Sequence, residues 1–556
     1  MRAPPLFRRL SSLLCLFALA LVACGDDDAS PVDAGLRDAG EADGGADAGP
    51  PPRDAGSDGG TDAGPLPATG LCDPSAEPDP YPAPDAWGPN HGPGGPRGEA
   101  ATFGEDALWE NCAYLSGGET DVQHHNLVAM YDGYLVMPWA PESGGGGMTF
   151  WDFSDPCSPA LRGRGTSETM RETHAMGFSH LGGSWAVVDH MDPIALTFGA
   201  GGIEFWDVSD TSAPAKVSEM DVPGFFYPDA YARVSLSVFW EVPYAYVGAA
   251  DNGVYIVDAT DPREPRYVGQ YAFEPTLRVG QVQVIGNLLV ATAAEGPRAV
   301  LLDVSDPTNP VPISGGDFVA RDAEGEPREA YFTNVANGFL YFARKDSGAG
   351  LMVYDIRDPS SPTRVGSIRS EGGGGYVFVK DEHAFEGAGS VAYVYDVSDP
   401  ADIREVGQMN LVGDLDTATP IGNVVVLSVD ADAEEERGSA VTPWQREPDT
   451  RAPRVTWSWP ADGATGLATS SRVGVTFSEF VDAKSAFEGS VRLYESESGR
   501  RVLGTVSAQE TIVNFHPFCP LEPGTRYTLE IPAGGVVDYV GNAIEEAFSM
   551  EFTTAE

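Results

Sequence analysis

Three histidines stand out among side chains that could act together. His124 and His125 are adjacent in GGETDVQHHNLVAM, and His174 follows in MRETHAMGFSH, with His180 and His190 further along. Neutral imidazoles ligate divalent metals, and two neighbouring strands could aim three of them at one ion. The same rings could equally hydrogen-bond from strand to strand. Corresponding places later in the chain carry Arg233, Gln281 and Thr333, so no full ring of ligands forms. The expectation is no cofactor and no catalytic residue, with a divalent metal at His124, His125 and His174 as the alternative.

Carboxylates form the second set, and their spacing argues for turn chemistry. TFWDFSDPCSP (149–159) runs an apolar strand into Asp-x-Ser-Asp-Pro, and related segments recur five times. The paired aspartates are Asp152 and Asp155, Asp207 and Asp210, Asp258 and Asp261, Asp303 and Asp306, Asp355 and Asp358, and Asp396 and Asp399. An Asp side chain can accept the backbone N–H two residues on, and Ser can cap the same turn. Proline then fixes φ and removes a donor, so the strand cannot continue. Twelve equivalent acids around a repeat serve structure better than catalysis.

The first aspartate of each pair returns at intervals of roughly 40–55 residues, the span of one supersecondary unit in a repeat protein. Alternating apolar residues such as Gly253-Val254-Tyr255-Ile256-Val257 read as strands. In the third unit ARVSLSVFW and YAYVGAA precede the turn and PRYVGQYAF follows it. Four antiparallel strands per repeat predict a β-propeller. The chain here resembles the LVIVD-repeat family: Ile256-Val257-Asp258 and Tyr395-Asp396-Val397-Ser398-Asp399-Pro400 match its signature. That resemblance implies propeller blades over 110–447. Six turns are visible; residues 413–430 and 438–447 supply a seventh set lacking its outer strand, and NCAYLSGG (111–118) could provide it. Seven blades are expected, since closure removes two exposed edges.

The amino terminus reads as an address. Residues 1–23 have a basic start (Arg2, Arg8, Arg9) and an apolar run too short for a membrane span, which is the pattern of a secretory signal. It ends Leu21-Val22-Ala23-Cys24, which resembles a bacterial lipoprotein lipobox and implies diacylglycerol on Cys24. Gly25 rather than Asp follows the cysteine, which resembles outer-membrane cargo. Residues 24–72 repeat Asp-Ala-Gly with almost nothing apolar to bury, so a disordered acidic tether is expected. Residues 73–109 form an irregular approach segment.

Four further cysteines, Cys72, Cys112, Cys157 and Cys519, would meet oxidising conditions outside the cytoplasm. A Cys112–Cys157 bridge would pin the ring closure, and Cys72–Cys112 is the alternative pairing.

Past Ala452 the pattern changes to short strands with a Trp459-Pro460-Ala461-Asp462-Gly463 turn, Val475-Thr476-Phe477-Ser478-Glu479, Leu521-Glu522-Pro523-Gly524-Thr525-Arg526-Tyr527 and Asp538-Tyr539-Val540-Gly541-Asn542. This stretch resembles bacterial Ig-like domains, implying a β-sandwich over 452–556 that serves as a spacer or adhesive module. Its Cys519 finds no partner within the module.

Lys and Arg number 34 against 83 Asp and Glu, a formal charge of −49, which disfavours nucleic acid and anionic lipid surfaces as partners. The reading is an all-β, exported, lipid-anchored envelope protein, periplasmic or surface-facing. It is a non-catalytic scaffold for envelope or extracellular proteins or glycans, touching the membrane only through its lipid. The alternatives are a metal-dependent or oxidising enzyme built on the histidines, and a purely structural envelope component.

Overall fold

All twelve repeat aspartates turn the chain through its own backbone. Each accepts the N–H two residues on, at 2.7–3.2 Å, from Ser154 on Asp152 through Ala401 on Asp399. Strands end at these places because the side chain satisfies donors that a continuing ladder would otherwise use. A computed structural model describes residues 68–76, 101–115, 127–140, 145–170, 173–191, 201–222, 235–346, 348–430, 432–434 and 436–556. Cys24, His124, His125 and Arg233 lie outside the described residues.

The described chain is all-β apart from short 3-10 turns. Five four-stranded antiparallel sheets follow one another, each in sequence order; the third, for example, runs Ser237–Glu241, Tyr244–Gly248, Val254–Asp258 and Arg266–Tyr271. A seven-stranded sheet completes the propeller. Its strand Arg404–Ile421 is outermost to Val377–Lys380, His383–Gly387 and Gly389–Asp396. The same strand then continues as the first partner of Val424–Val429 and Ser439–Pro443. Two sets of inner strands therefore share one long strand. The edge of Ser439–Pro443 is covered by Ala113–Leu115, with Ala113 opposite Val441 and Leu115 opposite Ser439. An edge that would template other chains is thereby paired within the molecule.

Sheets abut through the repeat turns. Gly366, on an outer strand, faces the turn of the next unit, and a β-carbon there would overlap the carbonyl oxygen of Pro400. On the next outer strand, Gly407 meets the indole of Trp109 in the same way. The last unit has no Asp-Pro turn, and Trp109, from the segment expected to be irregular, fills that place. The Trp109 N–H also bonds the Pro443 carbonyl (2.8 Å), and the Phe103 N–H bonds that of Arg446 (2.9 Å).

Disulfides join Cys112 to Cys157 and Cys72 to Cys519, with Cα separations of 5.2 and 4.7 Å. The end of the expected tether is therefore part of the folded body: Ala68–Leu71 forms a 3-10 turn and the next residue is bonded to the sandwich. No local pattern marks Cys72 as different from its acidic surroundings.

The C-terminal sandwich packs a four-stranded sheet (Val455–Trp459, Val473–Phe477, Ile512–Pro517, Gly504–Gln509) on a five-stranded one that contains Arg526–Ile531 and Phe548–Thr554. Propeller and sandwich belong to one compact unit. They share a hydrophobic cluster in which Phe332, Tyr376 and Phe378 of the propeller sit with Phe480, Val506 and Phe552 of the sandwich.

Candidate binding site at the mouth of the propeller

One end of the central channel is taken by the sandwich. Strands Gly504–Gln509 and Ile512–Pro517 form a hairpin whose tip, Gln509-Glu510-Thr511, meets the innermost strands of three sheets. Gln509 accepts from the Trp240 N–H (3.2 Å) and donates to the Val238 carbonyl (2.9 Å). Glu510 Oε2 accepts from Gln283 Nε2 (2.7 Å) and Asn334 Nδ2 (2.8 Å), and the Thr511 hydroxyl donates to the Val335 carbonyl (3.3 Å). An innermost strand leaves backbone groups unpaired along its inner edge, and buried unpaired groups are costly. The hairpin tip supplies partners for them.

Charged side chains fix the same seam. Arg472 pairs with Glu241, both fully buried, and also donates to the Val304 carbonyl. Burial pushes the Glu241 carboxyl up to about 8, while the Arg472 guanidinium pulls it back. The buried Asp482 carboxylate accepts the N–H groups of Asp132 and Gly133, and His180 Nε2 lies 2.9 Å from the Ala483 carbonyl oxygen. His180 thus belongs to the seam.

Asp449, Glu479 and Asp538 form the one carboxylate group, among the described residues, spaced closely enough for a metal ion. Lys380 is already there: its ammonium pairs with Glu479 and lies 2.7 Å from Asp449. Asp538 is further satisfied by the N–H groups of Val540, Gly541 and Asn542. The arrangement is a buried lysine in an acidic nest. The adjoining cleft, about 430 Å³, is lined by Lys380, His383, Trp444, Asp449 and Arg451, whose charges are paired across the seam.

The innermost strands begin at the opposite end, the mouth. There His174 is buried, its Nδ1 3.3 Å from Asp189 Oδ2, and Asp189 Oδ1 accepts the N–H groups of His174 and Ala175. The His174 ring stacks on Phe332 at 5.7 Å, Phe332 stacks on Tyr376 at 3.9 Å, and the Tyr376 hydroxyl donates to the His174 carbonyl (3.1 Å). Ring contacts continue through Phe378 and Phe480 to Tyr539 in the sandwich. The mouth therefore has a solid aromatic floor. Asp416 borders it, its backbone carbonyl accepting the Tyr376 N–H (2.8 Å). Burial raises the Asp416 carboxyl well above the usual carboxylate range, and Asp430 and Asp414 add to this.

Of the channel residues read from sequence, Thr333 bonds Thr292 across two sheets at 2.9 Å, and Gln281 is buried on the neighbouring inner strand. Sequence reasoning missed Asp416, Glu510 and Arg472. None lies in a motif, and each acquires its role from a partner hundreds of residues away or from burial.

Comparison with known proteins agrees with the fold. The family described as "Bacterial Ig-like domain" matches residues 449–554, and the LVIVD repeat matches 243–272 and 329–369. No curated protein matched the chain. Among solved structures it is similar to the periplasmic gluconolactonase of Pseudomonas aeruginosa, at 12 % identity over 50 % of this chain and 82 % of that one, TM-score 0.43. It is also similar to a Lactobacillus plantarum protein, at 11 % identity over 57 % and 99 % of the two chains, TM-score 0.43. The Cps50 (Swd1) β-propeller domain of Myceliophteria thermophila is 11 % identical over 57 % and 96 %, TM-score 0.41. Similarity at this level carries no activity or substrate across. LVIVD repeats thus lie within the propeller, at 243–272 and 329–369, and a bacterial Ig-like domain follows it.

Proposed function

We propose that this is an exported envelope protein, lipid-anchored through Cys24 and facing the periplasm or the cell exterior from the outer membrane. Its propeller binds a protein or glycan partner at the mouth and performs no chemistry. The observation that supports this most is the division of the channel. The sandwich hairpin Gln509-Glu510-Thr511 is bonded into one end, while the mouth combines an aromatic floor with a bordering carboxyl. Ligand sites commonly sit at the mouths of such barrels and rings, where a few polar groups converge on apolar walls.

The binding role is tested by photo-crosslinking in cells. A crosslinking residue replaces Glu324, exposed in the connection before the inner strand Ala330–Ala336, or Asp261, on an outer turn. A discrete adduct from position 324 and none from 261 is expected; adducts of equal yield from both, or none, would overturn the assignment. Anchoring is read separately, by acyl labelling that Cys24→Ser abolishes.

A further inference from the structure

Three carboxylates line one wall of the mouth. Asp414 and Asp416 lie on strand Arg404–Ile421, and Asp430 follows Val424–Val429, its N–H bonded to the Asp414 carbonyl at 2.8 Å. Asp416 is 7 % exposed. Among the described residues its carboxyl receives no hydrogen bond and forms no ion pair, which is unusual for a buried acid. Gly375 opposite it leaves the space, since a β-carbon there would come within 2.8 Å of Asp416 Oδ1.

The basic side chains that act on Asp416 are Lys345 and His174, and both are engaged elsewhere. Lys345 Nζ lies 3.8 Å from the centre of the Tyr331 ring and 3.7 Å from Glu295. His174 faces Asp189. A buried acid beside two others, with its basic neighbours committed, is short of positive charge.

We propose that the Asp416 wall binds an organic cation, the ammonium or guanidinium of a lysine or arginine side chain or another protonated amine. Asp416 is the principal acceptor, and Asp414 and Asp430 supply field. A small metal ion is a poorer occupant: the three acids are not gathered as closely as Asp449, Glu479 and Asp538 are. The chain's overall charge of −49 would also steer a cation inward.

This rests on the mouth being the partner-facing surface. The test titrates the mature chain with capped lysine (N-acetyl-lysinamide), capped arginine or spermidine, with capped norleucine as the uncharged control. One saturable site for the cations, weakened at least tenfold in Asp416→Asn and unchanged in Asp261→Asn, is expected. Equal binding by Asp416→Asn, binding of norleucine as tight as lysine, or calcium chloride displacing the amines at micromolar concentration would overturn it. Tight spermidine with weak capped lysine would assign the site to free polyamines; the reverse assigns it to a protein side chain. A crosslinked partner and amine binding that both survive Asp416→Asn would sink the cation site and leave the binding role standing. Amine binding without any crosslinked partner would do the opposite.

Discussion

Arg472 on the sandwich and Glu241 on the propeller form an ion pair with neither side chain exposed to solvent. Two charges taken out of water are tolerated only together, because each is the other's solvation. Arg472→Met strands the Glu241 carboxyl and is expected to cost about 3–5 kcal/mol in urea denaturation. Adding Glu241→Met should recover part of that loss. A single substitution within error of wild type would show that the seam is open to water.

Glu510 provides a pH signature. Burial of its carboxyl in the channel raises it to about 7 from an ordinary 4.5. A carboxyl that holds its proton more tightly when folded stabilises at low pH, and that contribution fades as pH climbs through about 7. The slope for one such group is at most about 1.4 kcal/mol per pH unit. Glu510→Gln should flatten the fall in melting temperature between pH 5 and 8, leaving the variant relatively more stable at the alkaline end. Parallel curves for the two proteins would refute this.

Gly366→Ala should cost about 1–3 kcal/mol, the usual toll of inserting a methyl into a filled contact. The added carbon meets the Pro400 carbonyl, which is backbone and cannot rotate away. Calorimetry of the variant checks this.

Cys157→Ser frees Cys112 from the first sheet. The bridge spans 45 residues of sequence, for which chain-entropy arguments give about 4 kcal/mol. Amide exchange at Ala113–Leu115 should accelerate with the loss of stability. Unchanged exchange would mean that strand pairing alone holds the ring shut.

The propeller and the sandwich were legible because their signals are local. Asp303 and Ser305 meet across two residues, so the turn is written in the hexapeptide that forms it. The repeat then follows by counting. What escaped the sequence is long-range. Gln509 reaches Trp240 across 269 residues, and Trp109 stands in for a turn that the last unit lacks. The histidine reading attended to residue type; of its three residues only His174 is described, and its contacts with Asp189 and Phe332 carry no sequence signal. Asp416 carries no motif at all: burial beside Gly375 sets it apart from dozens of other acids.

The Cys72–Cys519 bond also decides where mechanical load travels. Cys519 lies just beyond strand Ile512–Pro517, at the end remote from the hairpin tip, roughly 20 Å or more along the strand. Traction on the chain before Cys72 enters the sandwich there. That covalent route bypasses the three residues that zip the ring closed.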